Sequence, residues 1–433
     1  MKNTFGSRER QEPNDRNLGL SFLPRRISFP ALQTPQLTFG RCSTMLIIPL
    51  KAAIRFDLAK ALGEWLDDDE AQVSYQPSNP LQMVLPKPDF SSAACQSDLM
   101  RIASLRNCLT DILLKADSHA SALEEGGMDD LMEYHAVLLE FEKRGFPTLD
   151  DDSNRISLKW KGAFGAARAE THTNLLWDRA CVTYDIAALL SFQAAQCTFS
   201  DRVECKKGVG YCQQAASILE TLIDLAASQD LATVDLSGPM LSFWQAYLLA
   251  QGQSFVYRMA ASGSSQHASL ASLSQSAFEL FNEALSKAQD ARLESEMPKP
   301  SKEWAAYCKA SAMMAAAKAE FHQAAMQRGN HKYGVEIVRL RRSLTKLNAC
   351  HEFIESLTEI DQQNAVDYSK RECNAALPVV RDRLTEIERD NYNIYGEDIP
   401  KSVENIAPKQ LIKTSLGYPT QMLIPQKPCF VGL

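Results

Sequence analysis

The sequence predicts a mainly α protein made of long helices stacked side by side, and three observations predict it. Ala, Leu, Glu, Lys and Gln, all good helix formers, dominate residues 90 to 390, and Gly is scarce there. Apolar residues recur at three-, four- and seven-residue intervals over stretches of roughly 20 to 30 residues. Short links of Gly, Pro and Ser separate those stretches, for example Gly263-Ser264, Pro298 with Pro300, and Gly329-Asn330, as expected for antiparallel neighbours in a bundle or solenoid.

Composition narrows the function classes. Apolar residues at 45% and charged ones at 23% suit a soluble chain with a large core. A net charge of −7 argues against a general nucleic-acid binder, which needs basic surface to displace counterions from phosphates. The charge is uneven: residues 1–44 carry seven Lys or Arg against three acids, so this segment is +4 and the remainder −11. Eleven cysteines, an odd number scattered through helical positions such as Cys108, Cys181 and Cys308, read as reduced core residues of a cytoplasmic protein. The gaps between Cys197, Cys205 and Cys212 fit no zinc pattern. No apolar run approaches the roughly 20 residues a membrane span requires.

Taken in order, residues 1–44 hold Pro13, Pro24, Pro30 and Pro35 without periodicity and read as disordered; the prolines spoil the amphipathic helix of an organelle-targeting peptide. Leu46 to Leu50 is a short apolar run of strand type, followed by a helix from Asp57 to Leu66. Asp67 to Glu70 is a solvated helix exit, and Gln76 to Phe90, with four prolines, an extended connector. Helices are expected over Ser92–Leu123 and Met128–Lys143. After the loop acids Asp150 to Asp152 comes a strand over Ile156–Trp160. The next helix, Thr171–Cys197, presents Trp177, Cys181, Tyr184, Ala188 and Ala195 on one face, widened by Ile186, Leu189 and Leu190. Its alanines allow close packing, and the polar tips of Trp177 and Tyr184 call for partners. Further helices are expected over Arg202–Ser228, Pro239–Ser262, Ser265–Leu293, Lys302–Arg328, Val335–Thr358 and Ala375–Asn393. From Tyr395 onward the chain lacks helical period and is expected to run back extended along the body.

No catalytic signature assembles in the sequence. There is no phosphate-binding Gly-x-x-x-x-Gly-Lys-Ser/Thr loop, no Gly-x-Ser-x-Gly elbow, no His-Glu-x-x-His pair and no dinucleotide fingerprint. Cys350 and His351 are adjacent, so on a helix they point in different directions, and Cys350 reads as packed. The expectation is a non-enzymatic protein without metal or cofactor.

Three stretches in order carry a resemblance to a known family: Ile156 to Phe164 with its Trp160-Lys161-Gly162 strand end; Trp177-Asp178-Arg179-Ala180-Cys181-Val182-Thr183-Tyr184-Asp185-Ile186-Ala187-Ala188-Leu189; and Asp390-Asn391-Tyr392-Asn393-Ile394-Tyr395 running to Ile399-Pro400. They resemble the Bro domain of the Alix, BROX and HD-PTP family, helical modules that serve ESCRT machinery. Pro49-Leu50-Lys51 with Asp57-Leu58 is similar to the family's first strand and helix. The resemblance covers residues 45–425, leaving the 1–44 segment and a 426–433 tail. It implies a banana-shaped helical array with a tetratricopeptide-like core and a small N-terminal sheet. It also implies a cytoplasmic scaffold, recruited to endosomes for multivesicular-body sorting. Such a scaffold binds the C-terminal amphipathic helix of an ESCRT-III subunit in an apolar groove and makes peripheral contact with the endosomal membrane.

Within the resemblance, Leu249-Ala250-Gln251-Gly252-Gln253 is similar to the family's "L-A-Q-A-Q" and places the groove at Val256, Ser269 and Leu273. Ser269 stands where the family has an aliphatic, which forfeits roughly 1 kcal/mol or more, so Leu270 is the alternative. Lys206, or Lys207, would face the acidic ligand. Val256 and Leu273 can also be read as plain core. Trp160, Trp177, Cys181, Tyr184 and Tyr395 are expected to be structural, the last closing the final helix against the body. Cys429 is fifth from the end and misses a prenylation box by one residue. The alternative function is a rhophilin-like signalling adaptor with the same fold and no ESCRT-III binding.

Overall fold

The computed structural model describes residues 45–429 apart from 67–91, 116–118, 145, 147–155, 165–168, 200, 230–232, 264–265 and 415–416. The basic 1–44 segment, the Asp67–Glu70 exit, the proline connector and the loop Asp150–Asp152 lie outside the described residues.

The chain opens on a small antiparallel sheet in the order β1 (Ala52–Ala53), β2 (Leu158–Lys161) and β3 (Glu170–His172), with Ala53 opposite Trp160 and Trp160 opposite Glu170. Leu158 and Trp160 alternate inward with outward Lys159 and Lys161. The expected strand over Leu46–Leu50 does not pair. Pro49 has no N–H to give, and helix side chains take the amides of Leu46, Ile48 and the following Lys51: Tyr247 OH accepts from Leu46 N at 2.7 Å, Ser191 Oγ from Ile48 N at 3.1 Å and Asp185 Oδ1 from Lys51 N at 2.7 Å. The residues expected to open the helix at Thr171 form β3 instead, because Asn174 is the cap: its Oδ1 accepts from Trp177 N at 2.7 Å and the helix begins at Leu175.

The first helices are α1 (Leu58–Leu66), α2 (Ala93–Lys115), α3 (His119–Glu124) and α4 (Gly127–Lys143). They lead to α5 (Leu175–Gln196), in which every residue from Leu175 to Ser191 is buried, not one face alone. A helix enclosed on all sides serves as the central rib. The array continues with α6 (Arg202–Gln229), α7 (Gly238–Ala261), α8 (His267–Ala288), α9 (Ala291–Glu296), α10 (Pro298–Gly329), α11 (Tyr333–Glu355) and α12 (Ile360–Asp390). From α5 to α8, and again from α10 to α12, each helix packs on the one before it; α8 packs directly on α10.

Three helix boundaries depart from expectation for local reasons. Ser265–Leu293 is two helices because Asp290 caps a second one, its carboxylate accepting from Arg292 N at 2.9 Å. The Pro298 and Pro300 read as a break lie in the first turn of α10, where missing N–H groups cost nothing. α12 starts at Ile360, well before Ala375, and carries Pro378 inside it. Val366, Cys373, Ala376, Val380, Leu384 and Ile387 form its buried stripe against α10 and α11, which outweighs the polar composition of its first turns.

The end of α12 passes into a π-turn, Asn391–Tyr395. Asn391 clamps it, donating to Glu397 O at 2.9 Å and accepting from Glu397 N at 3.1 Å. The chain then runs back along the body, as expected, and includes α13 (Thr420–Leu423). Its close pass requires a glycine on α11: a Cβ at Gly334 would stand 2.2 Å from Asp398 O. The body continues past the expected boundary at 425. Gln426 N donates to Glu133 Oε2 at 2.7 Å, and Cys429 is buried beside Arg101. Among the described residues no helix is long and apolar enough to cross a membrane.

Candidate partner-binding groove

The scaffold that positions the groove is held by α5. Asp178, in its first turn and fully buried, accepts from Trp160 Nε1 of β2 at 2.6 Å, Tyr134 OH of α4 at 2.5 Å, and Arg106 Nη2 and Nε of α2 at 3.1 and 3.3 Å. One carboxylate thus ties the sheet and two helices to the rib. Burial works against the Arg106 charge, but Asp178 beside it holds the guanidinium above its ordinary pKa. Cys181 and Tyr184 follow on the same helix, both fully buried, and burial pushes both groups up. Trp177 stacks on His172 with centroids 4.2 Å apart. The expectation that its ring nitrogen and the Tyr184 hydroxyl find partners is not met among the described residues; burial of the two large rings offsets that loss. Tyr395, at the end of the π-turn, stacks on Tyr333 of α11 with centroids 3.7 Å apart and stays 42% exposed, so its contact with the body is made at the surface.

The predicted groove residues fall on three helices. Val256 near the end of α7 and Leu270 and Leu273 near the start of α8 meet with Tyr257 in a small apolar cluster, separate from the main core and from the α10–α12 core. Val256 and Leu273 are each 4% exposed, so they form the floor. Half-buried Val209 of α6 and Ala260 of α7 pack on its rim. Ser269 is half-buried beside Leu270, which takes the apolar place in the cluster. Lys206 is exposed, one turn before Val209 on α6 and therefore on the same face. Lys207 is exposed and bonded to Glu204 at 2.8 Å, which engages it within its own helix.

One wall comes from a segment that carried no site residue in the sequence reading. Gln253, one turn before Val256, donates to Leu273 O at 3.2 Å and Lys409 O at 2.9 Å, and accepts from Leu411 N at 3.1 Å and Ile412 N at 3.3 Å. Lys409 N also donates to Ser272 O at 2.9 Å. The strap 409–412 is thereby bonded along α7 and α8 beside the cluster, with Leu411 turned out and 55% exposed. It lies close because residue 252 is glycine: a Cβ there would stand 2.8 Å from the Ile412 side chain.

The family model of the BRO1-like domain matches residues 71–430. The chain belongs to the BRO1-like domain family. The BRO1-like chain is 23% identical over 375 residues to the pH-response regulator protein palA/RIM20 of Saccharomyces cerevisiae, covering 86% of this chain and 48% of that protein. It is 24% identical over 397 residues to the programmed cell death 6-interacting protein of Homo sapiens, covering 89% and 40%. It therefore spans half the length of these relatives or less. A solved ALIX BRO1 CHMP4C complex matches with a TM-score of 0.68 at 21% identity, covering 90% of this chain and 99% of that one. A structure described as the basis for endosomal targeting by the Bro1 domain matches with a TM-score of 0.64 at 15% identity, covering 86% and 92%. The fold expectation holds: BRO1 architecture is an elongated helical array with a small sheet at its start.

Within this BRO1-like array, sequence reading missed Asp178, Gln253 and the strap. Asp178 stood in plain view in the helix motif, where it, Arg179 and Asp185 are charges set among apolar residues, itself a signal of buried ion pairing. Gln253 was less legible, because Gln251 and Ser254 beside it are polar as well. The strap was not legible, because its role rests on contacts more than 150 residues away in sequence.

Proposed function

We propose that this chain is a non-enzymatic, ESCRT-associated scaffold whose α6–α8 surface takes the C-terminal amphipathic helix of an ESCRT-III subunit at endosomal membranes. The observation that carries the reading is the apolar cluster of Val256, Leu270 and Leu273, set apart from both larger cores and edged by exposed Lys206, in a chain of BRO1-like family and fold. That the ALIX BRO1 domain forms a complex with CHMP4C supports the choice of partner. An amphipathic helix would lay apolar side chains on Val209, Ala260 and the strap's Leu411 and bring acids toward Lys206.

The test is fluorescence anisotropy with a peptide of the CHMP4C C-terminal helix. Substitution belongs on the rim, since a charge at Leu273 would break the floor and unfold the site. Leu411→Asp, at a 55% exposed position, is expected to weaken binding several-fold with an unchanged melting temperature, and Ser269→Leu to tighten it several-fold. Absence of binding by the wild-type chain ends the proposal. Ser269 favours a second reading, a rhophilin-like adaptor without ESCRT-III binding; capture of a small GTPase together with indifference to the peptide would support it.

A further inference from the structure

On α7 the residues Gln251, Ser254 and Arg258 lie at helical spacing on a face other than that of Gly252 and Val256. They line a cavity of about 50 Å³ closed by α8, α10 and α12. Its walls bring together three ionic side chains. The Arg258 guanidinium bonds Glu372 and donates to Tyr368 OH at 2.6 Å. Lys318 Nζ donates to the other oxygen of Glu372 at 2.7 Å and lies 5.5 Å from the centre of the Tyr257 ring. The side chains of Arg258, Lys318 and Glu372 are 14, 10 and 5% exposed.

The charges do not balance. Glu372 is held below its usual range by Arg258 and Lys318, against the effect of burial, and is ionised at neutral pH. Burial first, and then Arg258, pull Lys318 down to about 8, against the attraction of Glu372, which leaves it protonated there. The other titratable groups facing it add no negative charge. His322 is pushed to about 3 by burial and stays neutral, burial pushes Tyr257 up, and the Cys350 thiol is pushed up by its hydrogen bond with Cys373 and then by burial. Two cations therefore face one carboxylate in a place nearly shut from water. Such an excess is relieved by loss of the lysine proton or by uptake of a counter-charge, and the cavity provides room for the second.

We propose that this cavity is a binding site for one small monovalent anion of chloride size, held between the Arg258 guanidinium and the Lys318 ammonium. The space exceeds the roughly 10–15 Å³ that a single water needs. A single negative charge brings the cluster to neutrality, whereas doubly charged sulfate or phosphate would overshoot it. Tyr368 accepts from Arg258 and keeps its own proton to donate. Half-buried Phe199 and Tyr368 flank the guanidinium, with ring centres 5.3 and 5.9 Å away, and form the mouth. The site shares the Tyr257 side chain with the partner groove, but its charged groups lie outside the Val256–Leu273 cluster, so bromide binding and peptide binding are read separately.

Bromide is the probe. Crystals of the chain soaked in sodium bromide are expected to show an anomalous peak within hydrogen-bond reach of Arg258 and Lys318. In solution, the melting temperature at pH 6.5 should rise saturably in sodium chloride over sodium gluconate at equal ionic strength. The increment should shrink by pH 9.5, where Lys318 is neutral, and vanish in Lys318→Met, which keeps the Arg258–Glu372 pair. A cavity without bromide at saturating salt, bromide confined to the surface, or an equal chloride increment in Lys318→Met would each overturn the proposal. Should Lys318→Met fail to fold, the bromide peak in the wild-type chain decides the matter.

Discussion

Two buried ionic clusters sit in the two halves of the array, and they are built on opposite balances. Around Asp178, one carboxylate faces one guanidinium, and neutral donors from Trp160 and Tyr134 supply the remaining bonds. Around Glu372, one carboxylate faces two cations across a cavity. The first arrangement is saturated and can only hold elements together. The second retains an electrostatic demand, so the same residue types make a joint in one half and a receptive site in the other.

The largest effect is expected from Asp178→Ala, which strands the buried Arg106 and should cost about 3–5 kcal/mol, measured by urea unfolding. If it cost no more than a surface change, the joint would not be one. Lys318→Met should sharpen the contrast by staying within about 1 kcal/mol of the wild type, or above it, because it removes the surplus charge and leaves a pair. The pH dependence gives the sign. Lys318 stands at about 8 in the folded chain against an ordinary 10.5. Below 8 it is charged in both states and the burial penalty is complete. Between 8 and 10.5 the unfolded chain holds more protons, so wild-type stability should rise relative to Lys318→Met across that window. Gly252→Ala should move the unfolding midpoint little, since up to about 1 kcal/mol of helix propensity offsets displacement of Ile412. Hydrogen exchange should nevertheless speed up at 409–412. Last, Arg55→Ala should leave the midpoint unchanged, because its pair with Asp111 is exposed and screened.

Most of the long helices were legible because each buries a stripe whose period survives in the sequence, while α5, buried all round, was legible from its apolar and small residues. Pro378 and the polar first turns of α12 hid that helix's true start, since its stripe is sparse and only packing on α10 and α11 reveals it. Leu46–Leu50 had strand composition, but the Leu46 and Ile48 amides go to Tyr247 and Ser191, which no local pattern encodes. Cys108 was read with the core cysteines; it is exposed and its thiol donates to Asp130 at 3.3 Å. Val256 and Leu273 were singled out through the resemblance, and the structure adds their depth, 4% exposed each in one small cluster. A residue's type tells whether it prefers burial, and only the neighbouring helix tells whether the place is floor or rim.

The bonds made by the two extended ends bear on the order of folding. Leu46 N reaches Tyr247 across 201 residues, and His135 Nδ1 reaches Met422 O across 287. The helices between them rest mostly on sequence neighbours and can stack progressively as the chain is made. The ends must wait for surfaces formed hundreds of residues away, so they close late and open early. Limited proteolysis under mildly destabilising conditions should therefore nick the returning segment beyond Gly396 before it cuts the helical stack. Such a nick would remove the wall at Leu411 while leaving the cluster beneath it in place.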